Sequence, residues 1–175
     1  MLDIADRKTH ELEEALLCAS EEGKLPVICD QSPCLHRMRE QMKRIKPLEL
    51  FEFIHDYMMD DLTFHQTDEP IAIHLTCSTR RMGITDKLLD LARRCSSQVF
   101  LPEGIGCCGF AGDKGFFTPE LNAYALRNLR AQIERESIVR GFSNSRTCEI
   151  GLSTHSGIPY QSLLYLIDEC TEPKG

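Results

Sequence analysis

The stretch Ile71-Ala72-Ile73-His74-Leu75 is a short apolar run, which predicts a buried β-strand. A helical pattern follows over residues 84–95, and Gln98-Val99-Phe100-Leu101 is a second short apolar run. Strand, helix and strand at this close spacing are typical of a βαβ unit, in which the two strands are parallel. The stretch therefore predicts an α/β fold built on a parallel sheet.

The same alternation of short apolar runs and helical patterns continues on both sides. Two more strands are expected at 24–29 and 138–142, and further helices over 7–22, from Ser32, and over 50–58, 119–136 and 158–169. Between the predicted strand at 98–101 and the predicted helix over 119–136 lies a glycine-rich loop, residues 103–117. We therefore expect a parallel sheet of about four strands flanked by helices.

Length, charge and cysteine content limit the class of protein. The 175 residues suit one domain, 1–175, and the formal net charge of −7 argues against a nucleic-acid partner. The sequence shows neither a signal-peptide pattern nor a run of ~20 apolar residues that would span a bilayer. In a cytoplasmic setting thiols stay reduced, so nine cysteines indicate a metal or catalytic role rather than a disulfide framework. The abrupt, charged start at Met1 suggests a fragment of a longer chain.

The strongest functional signal is Gly106-Cys107-Cys108-Gly109-Phe110-Ala111-Gly112. Glycine allows the backbone to turn sharply and to approach other segments closely. Such a turn can direct two neighbouring thiolates at one soft metal centre. The loop lacks the Gly-Lys-Ser/Thr ending of a phosphate-binding loop, so its glycines are interpreted as serving the cysteine pair.

Two single cysteines, Cys77 and Cys148, lie where a predicted strand ends and a helix begins. Sites in parallel sheets form at the carboxyl ends of the strands, so these two and the Cys107-Cys108 turn are expected at one edge. Four thiolates suffice for a [4Fe–4S] cluster or a tetrahedral zinc. The alternative is a set of buried thiols beside a structural turn.

The other cysteines and His74 carry less specific signals. Cys34 also follows a strand and is either an orphan ligand of a preceding site or an ordinary residue at a helix start. The first helix has an apolar stripe formed by Leu12, Ala15, Leu16 and Ala19, and Cys18 near this stripe is predicted to pack in the core. The same is predicted for Cys95 and Cys170 on later helices. His74 is predicted to be a core histidine that could tune the metal site from behind its ligands.

These motifs resemble the cysteine-rich CCG domain. That family shows a lone cysteine, a Cys-Cys-Gly some thirty to forty residues later, and then a CxxC at a similar distance. It occurs, often duplicated, in the heterodisulfide reductase B subunit, the glycolate oxidase iron–sulfur subunit and related dehydrogenases. Cys77, Cys107-Cys108-Gly109 and Cys148 match one repeat, over about residues 70–172, and Cys34 matches the end of a preceding repeat, over about 25–45.

The segments 102–115 and 143–153 resemble most closely the C-terminal end of bacterial FAD-linked, iron–sulfur D-lactate dehydrogenases. The resemblance covers roughly residues 25–172. It implies an electron-transfer module that carries an iron–sulfur cluster and accepts electrons from an FAD domain and a ferredoxin-like segment upstream. The parent enzyme would oxidise D-lactate to pyruvate and pass electrons to a quinone or a cytochrome. It would be cytoplasmic or peripheral at the inner membrane.

The chain departs from the family pattern at the CxxC. Only Cys148 is present, and the first cysteine of the motif corresponds to Ser145 or, in the other alignment, the second corresponds to Gly151. A five-cysteine noncubane cluster is therefore not expected, whereas a four-cysteine site is. Two alternative functions remain from the residues alone. One is a structural zinc domain, and the other is a thiol–disulfide module based on Cys107 and Cys108.

Overall fold

The predicted strand at 71–75 forms β4 (Ile71–His74), one of the two inner strands of a four-stranded parallel sheet. The computed structural model of the chain describes residues 2–175. The strand order in the sheet is β5-β4-β6-β7, with β5 at Val99–Phe100, β6 at Arg140–Ser143 and β7 at Tyr160–Ser162. Every pairing is parallel, so the predicted α/β class and strand number are confirmed.

Helices precede, connect and follow these strands. Their bounds are α1 (Leu2–Ala19), α2 (Ser32–Gln41), α3 (Leu50–Phe53, continued by a π-helical turn over Ile54–Met58), α4 (Cys77–Met82), α5 (Thr85–Cys95), α6 (Lys114–Phe117), α7 (Pro119–Ala125), α8 (Leu129–Arg135), α9 (Arg146–Ser156) and α10 (Leu163–Cys170). Four short strands form two separate pairs, namely β1 (Ile28–Cys29) with β2 (Leu48–Glu49), which is parallel, and β3 (Leu62–Phe64) with β8 (Thr171–Pro173), which is antiparallel. Among residues 2–175, none of the helices is long and apolar enough to cross a membrane.

The sheet separates two apolar layers. Because successive side chains of a strand point to opposite faces, Ile71 and Ile73 of β4 pack into one layer and Ala72 into the other. The first layer is completed mainly by α3, α5 and α10, and the second by α8, α9 and the loop that carries Cys108. All four residues of β4 are buried, as expected for an inner strand covered on both faces.

Three elements differ from the prediction. The segment predicted as a helix over 158–169 begins with strand β7, and α10 starts only at Leu163, where the Ser162 hydroxyl accepts the Leu164 N–H. The strand predicted at 24–29 is reduced to β1, which pairs with β2 outside the main sheet and leaves Ile28 41 % exposed. The predicted helix over 119–136 is interrupted between α7 and α8.

The predicted apolar stripe of α1 is wrong. Leu12 is exposed, and so is Cys18, which we expected in the core. The buried face of α1 instead carries Leu17 and Glu13, and the Glu13 Oε1 accepts the backbone N–H groups of Lys43 and Arg44 at 2.6 and 2.7 Å. A carboxylate that accepts two backbone N–H groups is a strong, directional contact, so it sets the rotation of α1 against the turn after α2.

The chain contains a structural repeat. The order β1–α2–β2–α3 recurs as β6–α9–β7–α10, and in each copy the two strands are parallel neighbours. Cys34 is the third residue of α2 and Cys148 is the third residue of α9. The two cysteines therefore occupy equivalent positions, each in the first turn of a helix that follows a strand.

Candidate metal centre

The carboxyl ends of adjacent strands bring three cysteine-bearing segments together. Cys77 is the first residue of α4, after β4, and Cys148 lies in the first turn of α9, after β6. The side chain of Thr76 caps α4 by accepting the Thr79 N–H at 3.3 Å. Since β4 and β6 are paired with His74 opposite Ser143, the two helix starts are neighbours at one edge of the sheet.

The Cys107-Cys108 turn follows β5 and is fitted closely against α7. Gly109 has φ +73°, and a Cβ there would lie 2.6 Å from the Leu121 carbonyl oxygen and 2.8 Å from the Ala125 Cβ. Only glycine allows both this left-handed backbone and this approach. Gly109 therefore allows both the sharp turn and the close approach that were predicted for the glycines around the two cysteines.

Asn122 of α7 is hydrogen-bonded to the cysteine turn. Its side-chain amide donates to the Cys108 carbonyl, and the residue is buried. On the other side, a Cβ at Gly151 of α9 would lie 2.5 Å from the Asn122 Nδ2 and 3.0 Å from the Phe110 ring. Gly151 therefore lets α9 approach Asn122 and the loop. Nothing in the sequence pattern had singled out Asn122.

The four thiols lie near one another at this edge, and two of them are in direct contact. The Sγ atoms of Cys108 and Cys148 are 2.9 Å apart, and both residues are buried. Cys107 is exposed and lies near Cys77 and Cys108, and its Sγ accepts the Gly109 N–H at 3.4 Å. The structure thus brings together the four cysteines that the sequence had grouped.

The thiols favour their protonated form in each other's presence. Hydrogen bonding with Cys108, followed by burial, raises the pKa of Cys107. For Cys108 the contact with Cys107 lowers the pKa, but the contact with Cys148 and burial outweigh it and raise the pKa to about 12. Burial also raises the pKa of Cys77. A cation that took the place of the thiol protons would compensate the negative charge of the thiolates that form.

The sulfurs of Cys108 and Cys148 are packed directly against each other. Two ligands of one tetrahedral zinc lie about 3.8 Å apart for Zn–S bonds of about 2.3 Å. The 2.9 Å separation of Cys108 and Cys148 is shorter than this, and residues 2–175 contain no ready-made group of three or more ligands around a metal position. A bound metal requires the Cys108 and Cys148 sulfurs to separate by about 1 Å, which takes a side-chain rotation at one of these two buried residues.

Buried polar groups surround this edge. His74 is 3 % exposed, and burial lowers its pKa to about 4, so it is neutral at pH 7. Its Nδ1 is 3.2 Å from the Ser143 Oγ, while its Nε2 has no hydrogen-bond partner within residues 2–175. The Oγ of Ser145, three residues before Cys148, is likewise buried without such a partner. An orphaned buried hydroxyl beside a ligand candidate is compatible with a group bound there.

A buried hydrogen-bond network connects the sheet edge that carries the four cysteines with the N-terminal segment. The Oγ of Ser32, at the start of α2, is 2.9 Å from the Thr76 Oγ1. Asn144 donates to the Thr79 Oγ1 at 2.7 Å and to the Glu49 Oε1 at 3.1 Å. Burial raises the pKa of Glu49. The network fixes the first turn of α4, and therefore Cys77, relative to β6. The Thr76 cap could be expected from the sequence, but the long-range pairing of Asn144 could not.

Cys34 is exposed and lies near Cys29. Burial raises the pKa of Cys29, and the neighbouring Cys34 adds to this rise. Cys95 and Cys170 are buried in the apolar layer beside α5 and α10, as expected for packing residues, and burial together with Cys170 raises the pKa of Cys95 to about 12.

Comparison with known proteins adds no family assignment. Neither a protein-family model nor a curated protein matches the chain.

Proposed function

We propose that the chain is an electron-transfer module whose four cysteines, Cys77, Cys107, Cys108 and Cys148, hold an iron–sulfur centre. The observation that carries the proposal is the convergence of four thiols from three separate segments at one sheet edge. Thiolates are the ligands that iron–sulfur clusters use, and no other donor type is needed to complete a four-thiolate set. When bound, such a centre would accept and release single electrons.

The surroundings suit a site that exchanges electrons. Cys108 and Cys148 are buried, whereas Cys107 is exposed, so one ligand would lie at the surface and provide a short path to a partner. His74 is neutral and close in sequence to Cys77, and the orphaned Ser145 Oγ lies in the turn that precedes Cys148. Hydrogen bonds from such groups to ligand sulfurs raise the reduction potential of a cluster by stabilising its more negative form.

The resemblance to the CCG domain supplies the proposed physiological context. In this proposal the module serves an FAD-dependent D-lactate dehydrogenase, where D-lactate reduces the flavin and the electrons continue through this centre to a quinone or a cytochrome. The lactate chemistry would belong to the flavin, so Cys108→Ser in such an enzyme should abolish acceptor reduction and spare flavin reduction. Rapid anaerobic mixing with D-lactate separates the two half-reactions by the bleaching of the flavin. Equal loss of both would place the cysteines in lactate oxidation itself.

A structural zinc site is the second candidate, and the close packing of the sulfurs favours it. A single zinc ion needs ligand sulfurs only about 3.8 Å apart, whereas a cluster of several iron atoms needs them farther apart. The 2.9 Å separation of the Cys108 and Cys148 sulfurs is nearer to the zinc geometry. In this case the metal would stabilise the fold and carry no electrons.

Anaerobic reconstitution separates these two functions. The reduced chain is incubated with ferrous iron and sulfide, or with zinc, and the bound metal and sulfide per chain are measured together with the absorption spectrum. We expect one iron–sulfur centre per chain, with broad visible absorption that dithionite bleaches. Stoichiometric zinc with no iron–sulfur chromophore would contradict the electron-transfer proposal and support the zinc site.

A matched pair of variants controls this experiment. Cys107→Ala removes an exposed candidate ligand, and Cys18→Ala removes an exposed cysteine of α1. Neither replacement opens a cavity in the core, so both variants should fold. We expect the chromophore to be lost in Cys107→Ala and retained in Cys18→Ala. Equal loading of the two variants would show that Cys107 is not a ligand.

A further inference from the structure

Cys108 and Cys148 form a thiol pair that is closer than joint metal ligation requires. Their Sγ atoms are 2.9 Å apart, compared with about 3.8 Å for two ligands of one zinc and about 2.05 Å for a disulfide bond. We propose that the metal-free chain is oxidised at this pair to an intramolecular Cys108–Cys148 disulfide, which closes the site to metal. This inference concerns the thiols alone and does not depend on which metal the site takes.

The backbone around the pair is held in place before any bond forms. Cys108 is fixed by the side-chain amide of Asn122 on its carbonyl and by the close fit of Gly109 against α7. Cys148 is held in the first turn of α9. The two cysteines are 40 residues apart in sequence and lie on separate segments, so the bond would lock the cysteine turn onto α9.

The adjacent cysteine is a poorer partner for Cys108. A Cys107–Cys108 disulfide would join neighbouring residues and would strain the backbone between them, because disulfide geometry demands a particular separation and dihedral angle. The Cys108–Cys148 pair needs a further approach of only about 0.9 Å between its sulfurs, starting from 2.9 Å.

The oxidant that suits this buried pair is a small peroxide. Cys148 is the more exposed of the two, at 8 % against 3 % for Cys108, and its thiolate attacks hydrogen peroxide. An S–O bond forms, the O–O bond breaks and one water leaves, which gives a sulfenic acid. The Cys108 thiol then attacks that sulfur and gives its proton to the leaving hydroxide, so that the S–S bond forms, the S–O bond breaks and a second water leaves. Two thiols lose two electrons, and one peroxide becomes two waters.

The disulfide would act as a reversible block on metal loading. It removes two of the four thiolates, and the two that remain, Cys77 and Cys107, cannot complete a tetrahedral site. Reduction of the bond restores all four. The buried position of the pair also protects the sulfenic acid from further peroxide, because the resolving thiol is already in contact.

Peptide mapping of the oxidised chain tests the proposal. The reduced chain is stripped of metal with a chelator, treated with hydrogen peroxide at a stoichiometric level, and alkylated. Cleavage after glutamate is required, because trypsin would leave Cys95 with Cys108 on 95–114 and Cys148 with Cys170 on 147–174. Glutamate cleavage separates them and yields a linked pair 104–120 and 137–149. Fragmentation between Cys107 and Cys108 then identifies the bonded sulfur.

We expect the Cys108–Cys148 crosslink to be the first and main product. Zinc uptake per chain should fall in proportion to that crosslink and recover fully after reduction. The same oxidation in denaturing urea should give mixed pairings, which shows that the fold selects the pair. A main product of Cys107–Cys108, Cys77–Cys107 or Cys95–Cys170 would overturn the proposal, and so would irreversible oxidation of Cys148 without a crosslink. The mapping uses the unmutated chain, so no variant has to fold.

Discussion

Replacing Gly109 by alanine tests the geometry that places the cysteine turn. The left-handed backbone at φ +73° costs an L-residue about 1–2 kcal/mol. The new Cβ would also meet the Leu121 carbonyl oxygen at 2.6 Å and the Ala125 Cβ at 2.8 Å, and overpacking of this kind costs about 1–3 kcal/mol. The lower entropy of the unfolded alanine chain offsets ~0.4–1 kcal/mol. Gly109→Ala should therefore lower the free energy of unfolding by about 1–5 kcal/mol.

Gly104→Ala is the matched control, because Gly104 lies in the same loop. It has nearly the same conformation, φ +71°, but a Cβ there would have no atom within 4 Å. Its cost should be only the strain, reduced by the unfolded-state gain, or about 1 kcal/mol. Urea unfolding at a common m-value measures both variants. Equal unfolding midpoints for Gly104→Ala and Gly109→Ala would refute the packing of the turn against α7.

Three further predictions concern residues around the site. Burial lowers the pKa of His74 from 6.5 to about 4, so the unfolded chain binds the proton first as the pH drops, and the free energy of unfolding should fall by about 2 kcal/mol between pH 7.5 and 5. Urea unfolding at each pH measures this loss, which the neutral variant His74→Asn should not show. Parallel pH dependences of the two proteins would refute the role of His74. A Cβ at Gly141 would lie 2.5 Å from the Tyr160 ring, so Gly141→Ala should lower the free energy of unfolding, measured by thermal unfolding, by about 1–3 kcal/mol. A Cβ at Gly106 would have open space, so the control Gly106→Ala should have little effect. Equal changes in the unfolding temperature of the two variants would contradict the packing of Gly141 against Tyr160. The contact with Cys148 and burial outweigh the contact with Cys107 and raise the pKa of Cys108 to about 12, so zinc must displace its proton. Zinc affinity measured by competition should therefore rise about tenfold or more per pH unit between pH 6 and 8, and a flat profile would contradict thiol ligation.

The arrangement of the sheet edge could be predicted from the sequence because it depends on local signals. Short apolar runs such as 71–75 gave the strands, and parallel strands place the residues that follow them at a common edge. The sequence alone therefore groups Cys77 and Cys148 with the Cys107-Cys108 turn. The glycine at position 109 was expected in a turn, although the specific contact with Leu121 was not visible in the sequence.

The parts that could not be predicted depend on long-range polar contacts. The rotation of α1 is set by Glu13, which accepts backbone N–H groups some thirty residues away and overrides the apolar stripe that contains Leu12. Strand β7 was missed because its three residues, Tyr160–Ser162, are too short for a periodic pattern and gain their hydrogen bonds from β6. Asn122 carries no motif, and its role follows only from the position of α7 over the loop.

The number of sulfur ligands on a bound metal tests the central claim most directly. X-ray absorption at the metal edge, recorded on the anaerobically loaded chain, counts the sulfur atoms bound to the metal. We predict cysteine sulfur from all four of Cys77, Cys107, Cys108 and Cys148, with one sulfur ligand lost or loading abolished when any one of them is replaced by alanine. A first shell of mainly nitrogen or oxygen, or an unchanged spectrum in the Cys108→Ala chain, would contradict the account.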